Sequence, residues 1–140
     1  MKKTKLLLLS ILGLFLIVSI IAYGEIRSGV IGPVLSMPDA QKQFGDMKFD
    51  EAKFKASPTS ERAKMAADLI RKKTFIGASY ATVKEKLGDY TGYFWNDAIP
   101  TYILNEGSDK DEDVWQLVFL PGHNGKVSEV IINKNCCSKR

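Results

Sequence analysis

Histidine and cysteine are nearly missing from this 140-residue chain, which has one histidine, His123, and two adjacent cysteines, Cys136 and Cys137. A structural zinc site draws on four Cys or His ligands, or three and a water. The chain has three such residues in all, so no metal is expected. A Cys-x-x-Cys at a helix start, the usual redox arrangement, does not occur. Two neighbouring cysteines are no framework for a disulfide-stapled mini-domain. They stay free, pair between two chains, or form a vicinal bridge. That bridge is strained, because consecutive Cα atoms sit about 3.8 Å apart, below the usual span of about 4.4–6.8 Å. Nucleophilic catalysis by a Ser/His/Asp set needs a base beside its nucleophile. His123 sits in the turn sequence Pro121-Gly-His-Asn-Gly125, and no Gly-x-Ser-x-Gly elbow occurs. Neither an enzyme nor a cofactor is expected.

A concentrated basic stripe is also missing. The net charge is +4, but Lys2, Lys3 and Lys5 precede the apolar N-terminal segment, and residues 25–140 hold 17 basic against 16 acidic side chains. A nucleic-acid binder gathers its cations on one face or helix, so nucleic acid is not expected as a partner. Asp109, Asp111 and Asp113 alternate as at the start of an EF-hand. That loop needs Gly at its sixth position and Glu at its twelfth, where Val114 and Leu120 stand. A solvated loop is the expectation there.

The long hydrophobic run is present. Residues 6–23, LLLLSILGLFLIVSIIAY, carry no charge. As a helix they reach about 27 Å at about 1.5 Å per residue, close to a hydrocarbon core of about 30 Å. Lysines before the run place the N-terminus in the cytoplasm and the rest of the chain outside. The expectation is a single-pass membrane anchor. The alternative is a signal peptide cut near Gly24, with Ala22 and Gly24 as the small residues at the site. No cysteine stands near position 24, so lipid attachment of the usual bacterial kind is not expected.

Four segments follow: 1–24 as anchor or signal peptide, 25–46 as linker, 47–134 as an α+β domain, and 135–140 as a tail. In the linker, Gly29, Gly32, Pro33, Pro38 and Gly45 break any period, with at most a helical turn near Asp39. Ser57-Pro58 is an N-cap with proline at the first helical position, and Ser60-Glu61 is an alternative start. This helix runs to about Lys73, with Met65, Ala66, Leu69 and Ile70 as one apolar stripe. Arg71, Lys72 and Lys73 suit the helix dipole, or form a patch for anionic lipid or a partner. Asp68, between Lys64 and Lys72, reads as a surface ion-pair residue. Ser79 caps a second helix, with Val83 and Leu87 buried and Gly88 closing it. Residues 90–95 are read as an irregular first strand, 101–105 as a second, 114–120 as the strongest, and 126–133 as the last, with Asn124-Gly125 the hairpin signal. Two short helices packed on a three- or four-stranded antiparallel sheet are predicted.

The pattern Arg62-x-x-Met65-x-x-Asp68-Leu69-Ile70, then Ile76-Gly77-x-Ser79-x-x-x-Val83-x-x-x-Leu87-Gly88-Asp89, resembles a family of small uncharacterised bacterial envelope proteins. More loosely, it resembles the SmpA/OmlA/BamE-like outer-membrane assembly lipoproteins, whose architecture the β-lactamase inhibitory protein repeat shares. The likeness covers about residues 47–134. It implies a helix-helix-sheet domain that binds other proteins. The chain departs from it in lacking the lipidated cysteine, and it carries one copy of the repeat.

Tyr90, Tyr93, Phe94, Trp95 and Tyr102 form an aromatic cluster that fills a core or marks an interface. As a binding patch the candidates are Tyr93, Trp95 and Tyr102. The expected function is a membrane-tethered, extracytoplasmic protein-binding or scaffold module with a protein partner. The alternative is an inhibitor or immunity-type protein that binds a secreted enzyme.

Overall fold

The computed structural model describes Ser19, residues 31–105 and residues 114–135. The anchor or signal segment, the Asp109–Asp113 loop and Cys136-Cys137 lie outside the described residues. Among the described residues no helix is long and apolar enough to cross a membrane.

The compact unit that begins at Pro33 is α+β. Its elements are α1 (Met37–Phe44), α2 (Glu51–Ala56), α3 (Thr59–Lys72), α4 (Tyr80–Leu87), β1 (Thr101–Ile103), β2 (Val114–Pro121) and β3 (Val127–Asn135). The strands form one antiparallel sheet in the order β1-β2-β3. Two helices are thus joined by two more. In α1, Ser36 accepts from the Asp39 N–H and proline occupies the first turn, so a stretch that reads as tether starts a helix. Ala40 is buried within it. In α2, Asp50 accepts from the Lys53 N–H at 2.7 Å. The expected strand over 90–95 does not form, and the sheet has three strands.

The register puts Tyr102, Leu117 and Ile132 side by side, with Phe119 opposite Val130. These residues share one face with the buried helix residues Phe54, Met65, Leu69, Val83 and Leu87. At the centre five aromatic rings close a cycle of edge contacts. Phe49 meets Phe54, Phe54 meets Tyr102, Tyr102 meets Phe119, Phe119 meets Phe75, and Phe75 meets Phe49, with centroids 5.6–6.0 Å apart. Edge-to-face pairs of this kind add about 0.5–1.5 kcal/mol each beyond area burial. The cycle ties the entry to α2, α2 itself, the turn after α3, and two strands.

Two residues of the Arg62/Asp68 pattern lock the helix layer. Arg62 donates to the backbone carbonyls of Phe54 at 3.0 Å and Lys55 at 3.1 Å, closing the end of α2. Asp68 is 4% exposed. It accepts from the Phe49 N–H at 2.7 Å and pairs with Lys72 at 2.6 Å and with Arg71. Lys64, the other expected partner, pairs with Glu61 instead. Asp68 is therefore a buried anchor for the chain entering α2, rather than a surface charge.

The Lys72 ammonium and the Phe49 amide, with help from Arg71, hold the Asp68 carboxyl down from its ordinary 3.8 to about 2. The ionised form is favoured in the folded state, so this stabilisation is complete above about pH 4 and is lost as pH falls through about 2. At about 1.36 kcal/mol per pH unit the gap corresponds to on the order of 2 kcal/mol. Asp68→Asn is expected to lose about that much at pH 7. The difference from wild type is expected to shrink by at least half at pH 2, read from urea unfolding at both pH values. An undiminished difference at pH 2 would contradict an ionic role.

Candidate protein-binding surface

The loop from Thr91 to Pro100 joins α4 to β1 and returns across the second face of the sheet. Its start is fixed from inside. The buried Tyr102 hydroxyl donates to the Gly88 carbonyl at 2.9 Å, and the Tyr90 hydroxyl donates to the Tyr80 carbonyl at 3.1 Å. Tyr90 and Tyr102 meet edge-on at 5.9 Å. Burial pushes both phenols above their usual range, so both stay neutral donors.

The N–H groups of Thr91 and Gly92 then share the Thr101 carbonyl at 3.0 Å, while Thr91 Oγ1 accepts from the Ile103 N–H at 3.0 Å. Gly92 lies against the second face, where a Cβ would stand 2.3 Å from Gln116 Oε1 and 2.8 Å from Thr101 Cγ2. Gln116 and Thr101 are themselves buried, so only glycine brings the backbone this close. The approach lets Gln116 Oε1 accept from the Tyr93 N–H at 2.9 Å.

A tight turn follows. The Asn96 N–H reaches the Phe94 carbonyl at 2.7 Å, and Trp95 between them takes φ 60°. This is a γ-turn with positive φ, a rare and strained conformation, and bulky side chains seldom occupy it. Phe94 points inward and is buried. Trp95 stacks on it at 4.7 Å with ring planes 27° apart. The Tyr93 hydroxyl donates to the Trp95 carbonyl at 2.6 Å, and Asn96 Oδ1 accepts from the Ala98 N–H at 2.9 Å. Tyr93 and Trp95 remain 46% and 53% exposed.

Of the three candidates, the structure keeps Tyr93 and Trp95 together at the surface and removes Tyr102. Tyr102 is 0% exposed, because period-2 alternation puts it on the helix-facing side with Leu117 and Ile132. It supports the loop from beneath and offers no contact to a partner. Gly92 and Gln116 belong to the same assembly, although sequence reading missed them. The available signals were a glycine inside an aromatic run and a lone carboxamide inside the strongest strand. His123 sits exposed in the β2–β3 turn. Among the described residues no group of three His, Cys, Asp or Glu side chains is placed to hold a metal.

No family model, curated protein or solved structure matches the chain.

Proposed function

We propose that this protein is a membrane-tethered, extracytoplasmic protein-binding or scaffold module of the cell envelope, with residues 6–23 as its anchor and a BamE-like domain as its working part. The observation that carries the reading is the braced turn, which holds Tyr93 and Trp95 at 46% and 53% exposure. Large aromatic side chains are enriched where proteins meet, and Trp and Tyr dominate the residues that fix affinity. Here the backbone accepts a strained φ at Trp95 while three hydrogen-bonded supports from Thr101, Gln116 and Tyr93 hold the turn. Strain persists only where the surroundings over-determine it, and such places cluster at functional sites. The apolar run of residues 6–23 and the resemblance of 47–134 to envelope assembly domains support the cellular setting.

Purification of the full chain from detergent-solubilised native membranes tests the reading. Stable, stoichiometric co-purification with envelope assembly proteins is the expected result. A single soluble secreted enzyme as the partner would replace the scaffold by the inhibitor reading. Turnover of a substrate with no protein partner would contradict both.

A further inference from the structure

We propose that the protein partner meets the Tyr93–Trp95 turn with an arginine, whose guanidinium lies on the open face of the Trp95 indole and pairs with Asp97. This inference rests on the reading of the turn as a protein-binding surface and names the chemistry that the surface takes.

The two faces of the Trp95 indole differ. Phe94 stacks on one of them at 4.7 Å, with ring planes 27° apart. Phe94 is buried, so the stack rests on a fixed floor. Trp95 is still 53% exposed, which leaves the other face to water. An aromatic face is the negative side of the ring quadrupole, and tryptophan is the best side-chain receptor for a cation. Three other aromatic rings of the domain already have one. Arg62 lies over Phe54 at 5.6 Å, Lys84 over Tyr90 at 5.9 Å and Lys134 over Trp115 at 5.9 Å. Among the described residues no cation lies over Trp95.

Asp97 stands exposed two residues further on. The backbone around it is held, because Asn96 Oδ1 reaches across to accept from the Ala98 N–H at 2.9 Å. Asp46, Glu51, Glu61, Asp68 and Asp89 each pair with a lysine or arginine of the domain. Among the described residues Asp97 pairs with none. The Tyr93 hydroxyl gives its proton to the Trp95 carbonyl at 2.6 Å, so this oxygen has no proton left to donate. The turn thus presents a π face and a carboxylate side by side. A guanidinium is flat, permanently charged and carries five N–H donors, so it stacks on the ring while its edge donates to the carboxylate. An acidic segment would oppose Asp97, and an apolar one would desolvate it without a partner. The wider charge distribution agrees. Residues 90–135 carry seven acidic and three basic side chains, whereas residues 37–89 carry eight acidic and eleven basic. The turn lies in the acidic part of the domain, which favours a basic partner.

Nuclear magnetic resonance of the full-length protein in detergent micelles tests the contact. The Trp95 indole N–H signal is identified by its loss in Trp95→Phe. The probe is the capped pentapeptide Gly-Arg-Gly-Arg-Gly. In the control, citrulline replaces both arginines, which keeps the shape and removes the charge. The arginine peptide is expected to shift the Trp95 indole signal saturably at millimolar concentration, with at least fivefold higher affinity than the control. Asp97→Asn, at an exposed position without an ion pair, is expected to weaken the arginine peptide at least threefold. No saturable shift, equal affinity of the two peptides, wild-type affinity in Asp97→Asn, or shifts confined to residues 106–113 would each overturn the arginine contact. Photo-crosslinking at position 95 separates this inference from the reading beneath it. A protein adduct there without arginine binding would overturn the inference and leave the reading, whereas no adduct would remove both.

Discussion

Phe54→Ala is expected to destabilise the domain by about 3–5 kcal/mol, the usual range for truncating a fully buried phenylalanine. Phe54 is 0% exposed. It holds two of the five edges in the aromatic cycle, to Phe49 at 6.0 Å and to Tyr102 at 5.6 Å. The Arg62 guanidinium lies over its outer side, 5.6 Å from the centroid. Removing the ring opens a cavity whose walls come from two helices and a strand, and these cannot all collapse inward without losing the remaining edges. Chemical denaturation of Phe54→Ala beside Phe54→Leu measures the effect. Leucine keeps most of the volume and is expected to recover at least half of the loss. A loss below about 1 kcal/mol for alanine, no more than an ordinary surface change, would mean the cycle does not carry the core.

The second large effect is expected at Gly92. Gly92→Ala puts a methyl group 2.3 Å from Gln116 Oε1 and 2.8 Å from Thr101 Cγ2. A flexible side chain on the surface would swing away from such a methyl. Gln116 and Thr101 cannot, since they are 2% and 0% exposed and Gln116 is bonded to the Tyr93 amide. The loop must rise off the sheet, and the Tyr93 amide loses its acceptor. Overpacking of this kind costs about 1–3 kcal/mol, and the displaced bond between the Tyr93 amide and Gln116 adds to it. Partner capture is expected to fall at least tenfold, because the backbone that aims Tyr93 and Trp95 is displaced. Trp95→Ala separates the two effects. It leaves Gly92 in place and is expected to reduce capture as strongly while changing stability by less than about 1 kcal/mol. Wild-type capture by Gly92→Ala, with its stability lowered, would detach the turn from function.

These expectations show how far the sequence alone carries the fold. The helix α3 was legible from its apolar stripe, although Ser57 closes α2 and Pro58 stands at the α3 cap with no side-chain bond, while α4 was legible because its punctuation is local. Ser79 caps α4 through the Thr82 amide and Gly88 closes it at φ 91°. The strands β2 and β3 were legible because their apolar runs are long and Asn124-Gly125 marks the turn between them. The helix α2 was not, since six residues span too few turns to show a period, and its capping by Asp50 is an interaction any loop aspartate can make. The helix α1 was hidden by Pro38 within it and by the glycines and Pro33 that flank it. Pro33 and Pro38 read as breakers, although a proline just inside a Ser cap is a starting signal.

At the candidate surface the same limit applies to individual residues. Tyr93, Trp95 and Tyr102 are alike in composition and close in sequence, and only the register of β1 separates the buried one from the exposed pair. Tyr102 shares a face with Leu117 because Thr101 pairs with Val118, which is a long-range fact. The positive φ of Trp95 is likewise set by Gly92, Gln116 and Phe94 around it, and tryptophan itself gives no sign of it. Asp68 shows the converse case. Its helical neighbour Lys72 does pair with it, but its burial and its bond to the Phe49 amide, 19 residues away, are long-range facts.

The most direct test of the central claim, that the Tyr93–Trp95 turn is the surface that meets a protein partner, is site-specific photo-crosslinking in intact cells of the native source. A photoreactive phenylalanine analogue replaces Trp95 in one strain and the exposed Lys48 in another. The expected result is a discrete protein adduct from position 95, recovered in the membrane fraction, and none from position 48. No adduct from position 95, or the same adducts in equal yield from both positions, would contradict it.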